Sequence, residues 1–205
     1  MAGLKYAHRR FGGTFDPPHL GHMILAMEAY AQLKLDRLLW VLTPDPPHKR
    51  GQEISPIWQR LALSQAALRS ESLFELSRVE IDRPGPHFVS DTMHILSVHY
   101  PDDELIYLIG GDSLHDLPNW DRPMEFIQSC HALGVMRRPE DEVNLPWLEE
   151  QLPGLTQKLR FIDVPLLEIS SKQIRQRISD GMPYRYYLLP QVYEMICKRG
   201  YYRQA

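Results

Sequence analysis

Three things are scarce in this chain, and each scarcity closes off a class of protein. Only Cys130 and Cys197 are present, far apart and in no metal-like spacing, so they are expected as free thiols in a reducing compartment. Net charge is almost absent. Lys plus Arg number 23 against 26 Asp plus Glu, a balance of -3, which argues against nucleic acid as a partner because neutralising many phosphates needs a basic excess. A local basic pocket for one nucleotide is compatible with that balance. No apolar run approaches the roughly 18 residues of a membrane span, and no secretory leader is recognisable. The expectation is a soluble cytoplasmic protein, with no membrane partner; a homo-oligomer is compatible with the sequence.

What is present suits a packed core. Apolar residues make up 43% of 205, enough to fold without disulfide staples and sized for one α/β domain over residues 1–205. Short apolar runs alternate with amphipathic stretches, the pattern of a parallel sheet covered by helices on both faces. Strands are expected at about Leu4–Phe11, Arg37–Thr43, Phe74–Ile81, Glu104–Ile109, His131–Val135 and Leu159–Val164. Leu20, Met23, Ile24, Met27 and Ala31 fall at helical spacing and predict one apolar face. Ile57, Leu61 and Leu68 mark a second helix, and Met93, Ile95 and Leu96 a third. Ser170 can cap a helix with Ile174 and Ile178 inside and Gly181 as its stop, and a last helix runs from Pro190 to before Gly200. The prolines cluster in the connections after strands, where open α/β sheets bind ligands. His8, Arg9 and Arg10 are out of place in a central strand that should be nearly all apolar, and nothing in the sequence accounts for them.

The chemistry concentrates in Phe11 to His22, F-G-G-T-F-D-P-P-H-L-G-H. Paired glycines let a strand end turn sharply and approach a ligand without Cβ obstruction. Pro18 sits near a helix start, and His19 and His22 lie one turn apart, where free amides and a partial positive charge make an anion site. Two imidazoles there can donate to phosphate oxygens, and Gly21 leaves room for a ligand against the helix. A plain glycine turn and a surface or metal-binding histidine pair are the competing readings; the metal reading lacks a third ligand at suitable spacing. Neither a GxGxxG fingerprint nor a P-loop is present.

GGTFDPPHLGH resembles the signature of the HxGH nucleotidyltransferases, a Rossmann-like superfamily with a doubly wound parallel sheet. Within it the motif is most similar to the bacterial nicotinate-mononucleotide adenylyltransferase family. Further segments match in order: P-D-P-P-H-K at 44–49, Y-L-I-G-G-D-S-L-H-D-L-P-N-W at 107–120, Arg137-Arg138-Pro139, and I-S-S-K-Q-I-R at 169–175. The resemblance implies transfer of AMP from ATP to a pyridine mononucleotide, with Mg²⁺ accompanying ATP and no metal ligands from protein side chains. His19, His22 and Arg175 would be catalytic. ATP would lie against Gly12, Gly13, Thr14, Phe15, His22, Gly110, Asp112, Arg138, Ser170, Ser171, Ile174 and Arg175. The mononucleotide would lie against Lys49, Val89, Thr92 and Trp120.

Arg60, on the helix that follows the P-D-P-P-H-K loop, matches a recurrent Arg of the family and suits a surface ion pair equally well; taken singly, Trp120 also suits a core residue, Asp112 a helix cap and Arg175 an exposed side chain. Two departures stand out. Lys172 replaces the family's usual Thr, and His87-Phe88-Val89 replaces Ser-Tyr-Thr, so Val89 offers only a backbone amide where a hydroxyl is usual. That leaves the choice between a ring carboxylate and a carboxamide open. The rival acceptors are those of the phosphopantetheine and cytidylyl transferases, and the rival class is a non-catalytic nucleotide-binding module.

Overall fold

The computed structural model of the chain describes residues 8–46, 51, 53–137 and 143–203. Six strands, β1 (His8–Gly13), β2 (Arg37–Leu42), β3 (Phe74–Ser77), β4 (Ile106–Gly110), β5 (Ala132–Arg137) and β6 (Leu159–Asp163), form one sheet in the order β3-β2-β1-β4-β5-β6. Every pair is parallel. The strand order reverses between β1 and β4, so a crevice opens beyond their carboxyl ends, the usual ligand position in such sheets.

Burial on both faces explains the continuous apolar runs. Along β2, Leu38, Trp40 and Leu42 join the core packed by α1 (Leu20–Gln32). Leu39 and Val41 face the opposite core, with Met93 and Leu96 of α3 (Val89–His99). A third apolar cluster joins α2 (Ile57–Leu68), α8 (Ser171–Ser179) and α9 (Pro190–Arg199) through Leu63, Ala67, Ile174, Ile178, Val192 and Ile196. Between β4 and β6 lie four short helices, α4 (Gly111–Asp116), α5 (Pro123–Ser129), α6 (Leu145–Gln151) and α7 (Leu155–Lys158), of which the sequence hints only at the first, through Asp112 as a possible cap.

Several expectations need adjustment. β3 stops at Ser77 instead of Ile81, because Asp82 N–H bonds to Arg78 O at 2.9 Å and closes a turn there. The buried face of α1 is Gly21, Met23, Ala26 and Ala29; Met27 and Ala31 are exposed. Small residues let the helix sit close to the sheet, and the larger Met27 points away. Residues 4–7 of the first expected strand lie outside the described residues, and β1 continues through both glycines. The helix ends follow the sequence: Ser170 caps α8, while Gly181 and Gly200 both take φ 67°.

Candidate active site

The loop from Thr14 to Pro18 leaves β1 at the mouth of the crevice, and His19 becomes the N-cap of α1. Pro18 therefore precedes the helix. The His19 amide donates to Nδ1 of His22 at 3.2 Å, and the two rings stack with centroids 3.6 Å apart. An Nδ1 that accepts puts the proton of the neutral ring on Nε2, so His22 presents Nε2 as its donor. Burial pushes the His19 imidazole down to about 4, so that ring is neutral near pH 7. His22 also meets Phe15 edge-on, with centroids 5.0 Å apart. Phe15 takes φ 47°, an uncommon conformation for a side chain of this size, and stacks on Trp40 at 4.2 Å. Its ring is core and is not open to ATP.

The second helix tip meets the first. Ser170 Oγ accepts from the Gln173 amide at 3.2 Å, and Gln173 returns the bond to the Ser170 amide. Ser171 Oγ donates to Pro17 O at 2.8 Å, and Arg175 Nη1 donates to Asp16 O at 2.7 Å. Ile169 Cβ stands 3.6 Å from where a Cβ on Gly21 would be. The imidazole tip and the serine–guanidinium tip thus share one mouth, as the motifs required.

Two residues outside the expected set hold this junction. Asp16 is buried; its Oδ2 accepts from the Ser55 amide at 3.0 Å and its Oδ1 from the Tyr202 hydroxyl at 2.9 Å. Arg60 is only 2% exposed, which rules out a surface ion pair. It donates to the carbonyls of Ser55, Thr14, Thr43 and Pro44 at 2.6 to 3.1 Å, clasping the loops after β1 and β2. Asp16 lies inside the recognised motif, and its buried partners are what the sequence could not show. Tyr202 carries no local signal at all.

The glycines act differently from expectation. A Cβ on Gly13 would stand 2.8 Å from the Phe15 ring, and one on Gly12 would stand 3.0 Å from Arg10 Cζ. At Gly21 it would stand 3.1 Å from the His19 ring. All three make room for the protein's own side chains. Gly110, the N-cap of α4, is the open one, with nothing within 4 Å of its Cβ position.

Two expected ligand contacts are corrected. Ile174 is fully buried in the third core, and its amide is spent inside α8 on Ser170 O at 3.1 Å. Thr92 is also fully buried; its hydroxyl bonds Glu80 Oε1 at 2.8 Å and accepts from Arg83 Nη2 at 2.9 Å. Among the rest, Asp112 is exposed in the first turn of α4, not at its cap. Trp120 is half-buried, 5.5 Å from the Phe126 ring and 6.2 Å from that of Tyr107, so one part of it is core. Val89 opens α3. Lys49 and Arg138 lie outside the described residues. Among the described residues no group of three or more His, Cys, Asp or Glu could hold a metal ion, and no helix is long and apolar enough to cross a membrane.

A family model described as cytidylyltransferase-like matches residues 10–177. A probable nicotinate-nucleotide adenylyltransferase from Thermomicrobium roseum is 42% identical over 193 residues, spanning 94% of this chain and 90% of the relative. The nicotinate-nucleotide adenylyltransferase of Bacillus subtilis is 34% identical, spanning 94% and 96%.

The chain belongs to the nicotinate-nucleotide adenylyltransferase family.

The fold is shared more widely than the sequence. Plasmodium falciparum nicotinic acid mononucleotide adenylyltransferase, solved in complex with NaAD, superposes with a TM-score of 0.77 at 16% identity, covering 96% of this chain and 97% of that one. As a nicotinate-nucleotide adenylyltransferase family member, this chain carries a charged side chain inside its first strand. The sequence offered no account of Arg10; the structure buries it against Glu80 in an ion pair.

Proposed function

We propose that this chain transfers the adenylyl group of ATP to the phosphate of nicotinate mononucleotide, releasing pyrophosphate and forming nicotinate adenine dinucleotide. The observation that carries the proposal is the meeting of two helix tips at one mouth, through Ser171 to Pro17 and Arg175 to Asp16. The acceptor oxygen forms a bond to the α-phosphorus as the bond to the bridging oxygen breaks and pyrophosphate leaves. The acceptor phosphate is already ionised at neutral pH, so neither a strong base nor a covalent intermediate is needed. Catalysis is then positioning and charge stabilisation.

His22 donates from Nε2 to the α-phosphate. Neutral His19 fixes the His22 ring by stacking and through its amide, a narrower role than a second phosphate donor. Arg175 and the amides of the Ser170–Ser171 turn hold the departing phosphates, a task that Arg138 shares. Gly110 lets the nucleoside approach, and Asp112 accepts from its ribose hydroxyls. Trp120 and the Val89 amide face the pyridine, and Lys49 holds the acceptor phosphate. Mg²⁺ enters as part of the ATP substrate. A cytoplasmic location, in a single domain, belongs to the same reading.

The test is pyrophosphate release from Mg·ATP offered nicotinate mononucleotide, nicotinamide mononucleotide and phosphopantetheine separately. Release with nicotinate mononucleotide fastest is the expected result. Preference for phosphopantetheine would move the chain to another acceptor. Tight ATP binding with no release for any acceptor would make it a nucleotide-binding module.

A further inference from the structure

A buried charge cluster lies beneath the expected mononucleotide side of the crevice. Arg10, 5% exposed, pairs with the fully buried Glu80. Glu80 bonds the Thr92 hydroxyl, and Thr92 accepts from Arg83. Arg83 also reaches the carbonyls of Pro86 and Phe88 at 3.1 and 3.4 Å, pinning the loop that leads into α3 and Val89. The Arg10 guanidinium lies 4.7 Å over the Tyr107 ring, which meets Phe126 at 5.0 Å and Trp120 at 6.2 Å, and it fills the space under Gly12. Arg10 therefore links the first turn of α3, through Glu80 and Thr92, to Trp120, through Tyr107, the two places expected to meet the pyridine ring. Its Nε and Nη1, and the Nε of Arg83, are buried with no acceptor at hydrogen-bond geometry.

The charges in this cluster do not cancel. Two guanidiniums face one carboxylate. His87 beside them is held toward its neutral form by burial and by Arg83, which outweigh the opposing pull of Glu80 and Asp45, and Asp91 in the first turn of α3 is committed to Arg122 at 2.7 Å. Glu80, left alone, would neutralise Arg83 through Thr92. Because Arg10 occupies Glu80, one positive charge is left over at the amino end of α3, which adds its own partial positive charge.

We propose that Arg10 sets acceptor selectivity: by neutralising Glu80 it leaves Arg83 and the α3 amino end as a positive field that favours a ring carboxylate over a carboxamide. This rests on the reaction proposed above. It answers the question raised by Val89, which lacks the hydroxyl usual in the family. Arg10 is a positioning residue here, acting on the ligand through the charge state of its neighbours.

The experiment compares kcat/KM for nicotinate and nicotinamide mononucleotides, followed by pyrophosphate release, in the full chain and in Arg10→Met, Glu80→Gln and the double variant. A unit charge at this depth is worth roughly tenfold or more. Arg10→Met should lower the nicotinate-to-nicotinamide ratio by about that factor, through the acceptor KM, with the KM for ATP unchanged. The double variant restores the surplus charge and should regain most of the ratio, and Glu80→Gln alone should hold or raise it. A merely structural role also predicts that the double variant regains stability, since one stranded buried charge costs more than the loss of both partners, but it moves kcat/KM for the two acceptors together and leaves their ratio flat. A flat ratio in folded Arg10→Met, or no recovery in the double variant, overturns the inference. Should Arg10→Met not fold, a lowered ratio in Glu80→Gln overturns it, and a held or raised ratio there supports it. Wild-type chain inactive with both mononucleotides would take down the proposed reaction and this inference together, whereas an active wild type with unresponsive ratios removes this inference alone.

Discussion

Tyr202 donates its hydroxyl proton to Asp16 Oδ1 at 2.9 Å, joining two side chains 186 positions apart in the chain. Burial, reinforced by the Asp16 charge, pushes the phenol well above its usual range, so it stays a donor throughout the working pH range. Asp16 in turn touches the Ser55 amide and lies 3.7 Å from the Arg175 guanidinium. The turn after α9 thus braces the loop between the two helix tips.

Tyr202→Phe removes that bond together with the Gln59 contact to the same hydroxyl. A hydrogen bond to a charged group contributes about 1.5–3 kcal/mol, and urea melts should show a loss in that range with an unchanged m-value. A loss below about 0.5 kcal/mol, the scatter of ordinary surface substitutions, would show the contact to be idle.

His19 is the acid-sensitive group of the site. Its folded pKa of about 4 is below the 6.5 of an exposed imidazole, so the unfolded chain binds the proton more readily. Stability is then unaffected above pH 6.5 and is lost as pH falls from about 6.5 toward 4. The loss is on the order of 3 kcal/mol across that window. His19→Asn should flatten that part of the stability–pH curve; a slope identical to wild type would mean the ring titrates normally.

Gly13→Ala puts a methyl group 2.8 Å from the Phe15 ring, which is wedged between Trp40 and His22. Overpacking of this kind costs about 1–3 kcal/mol, and the displaced ring moves His22. The variant should melt earlier and lose turnover far more than ATP affinity. Wild-type turnover would show that Phe15 does not set the His22 ring.

His22→Ala should lower turnover roughly a hundredfold to a thousandfold, the usual consequence of deleting one donor to a developing charge, while the melting curve stays near wild type. The comparison is pyrophosphate release at saturating Mg·ATP and nicotinate mononucleotide. Near-normal turnover would remove His22 from the chemistry.

Local patterns made the doubly wound sheet and both helix tips legible, because strand runs, caps and the histidine spacing are written in consecutive residues. Ser170, Gly181 and Gly200 fall where their conformations require. What was hidden depends on partners far away in the chain. Arg10 is anomalous until Glu80 and Tyr107 surround it, and Arg60 is an ordinary helix charge until four carbonyls converge on it. The glycines misled for the same reason: their missing side chains are complemented by Arg10, Phe15 and His19, and sequence spacing cannot say whether a gap is filled by ligand or by protein. The face of α1 was misassigned because Ala26 and Ala29, too small to stand out in a hydrophobic pattern, are what bury it.

The most direct measurement is a crystal structure with a non-hydrolysable ATP analogue and Mg²⁺. One triphosphate should span the mouth, with its α-phosphate within about 3 Å of His22 Nε2, a hydrogen-bond distance, and its outer phosphates against Arg175 and the Ser170–Ser171 amides. A triphosphate bound at only one of the two tips, or in another cleft, would contradict the account.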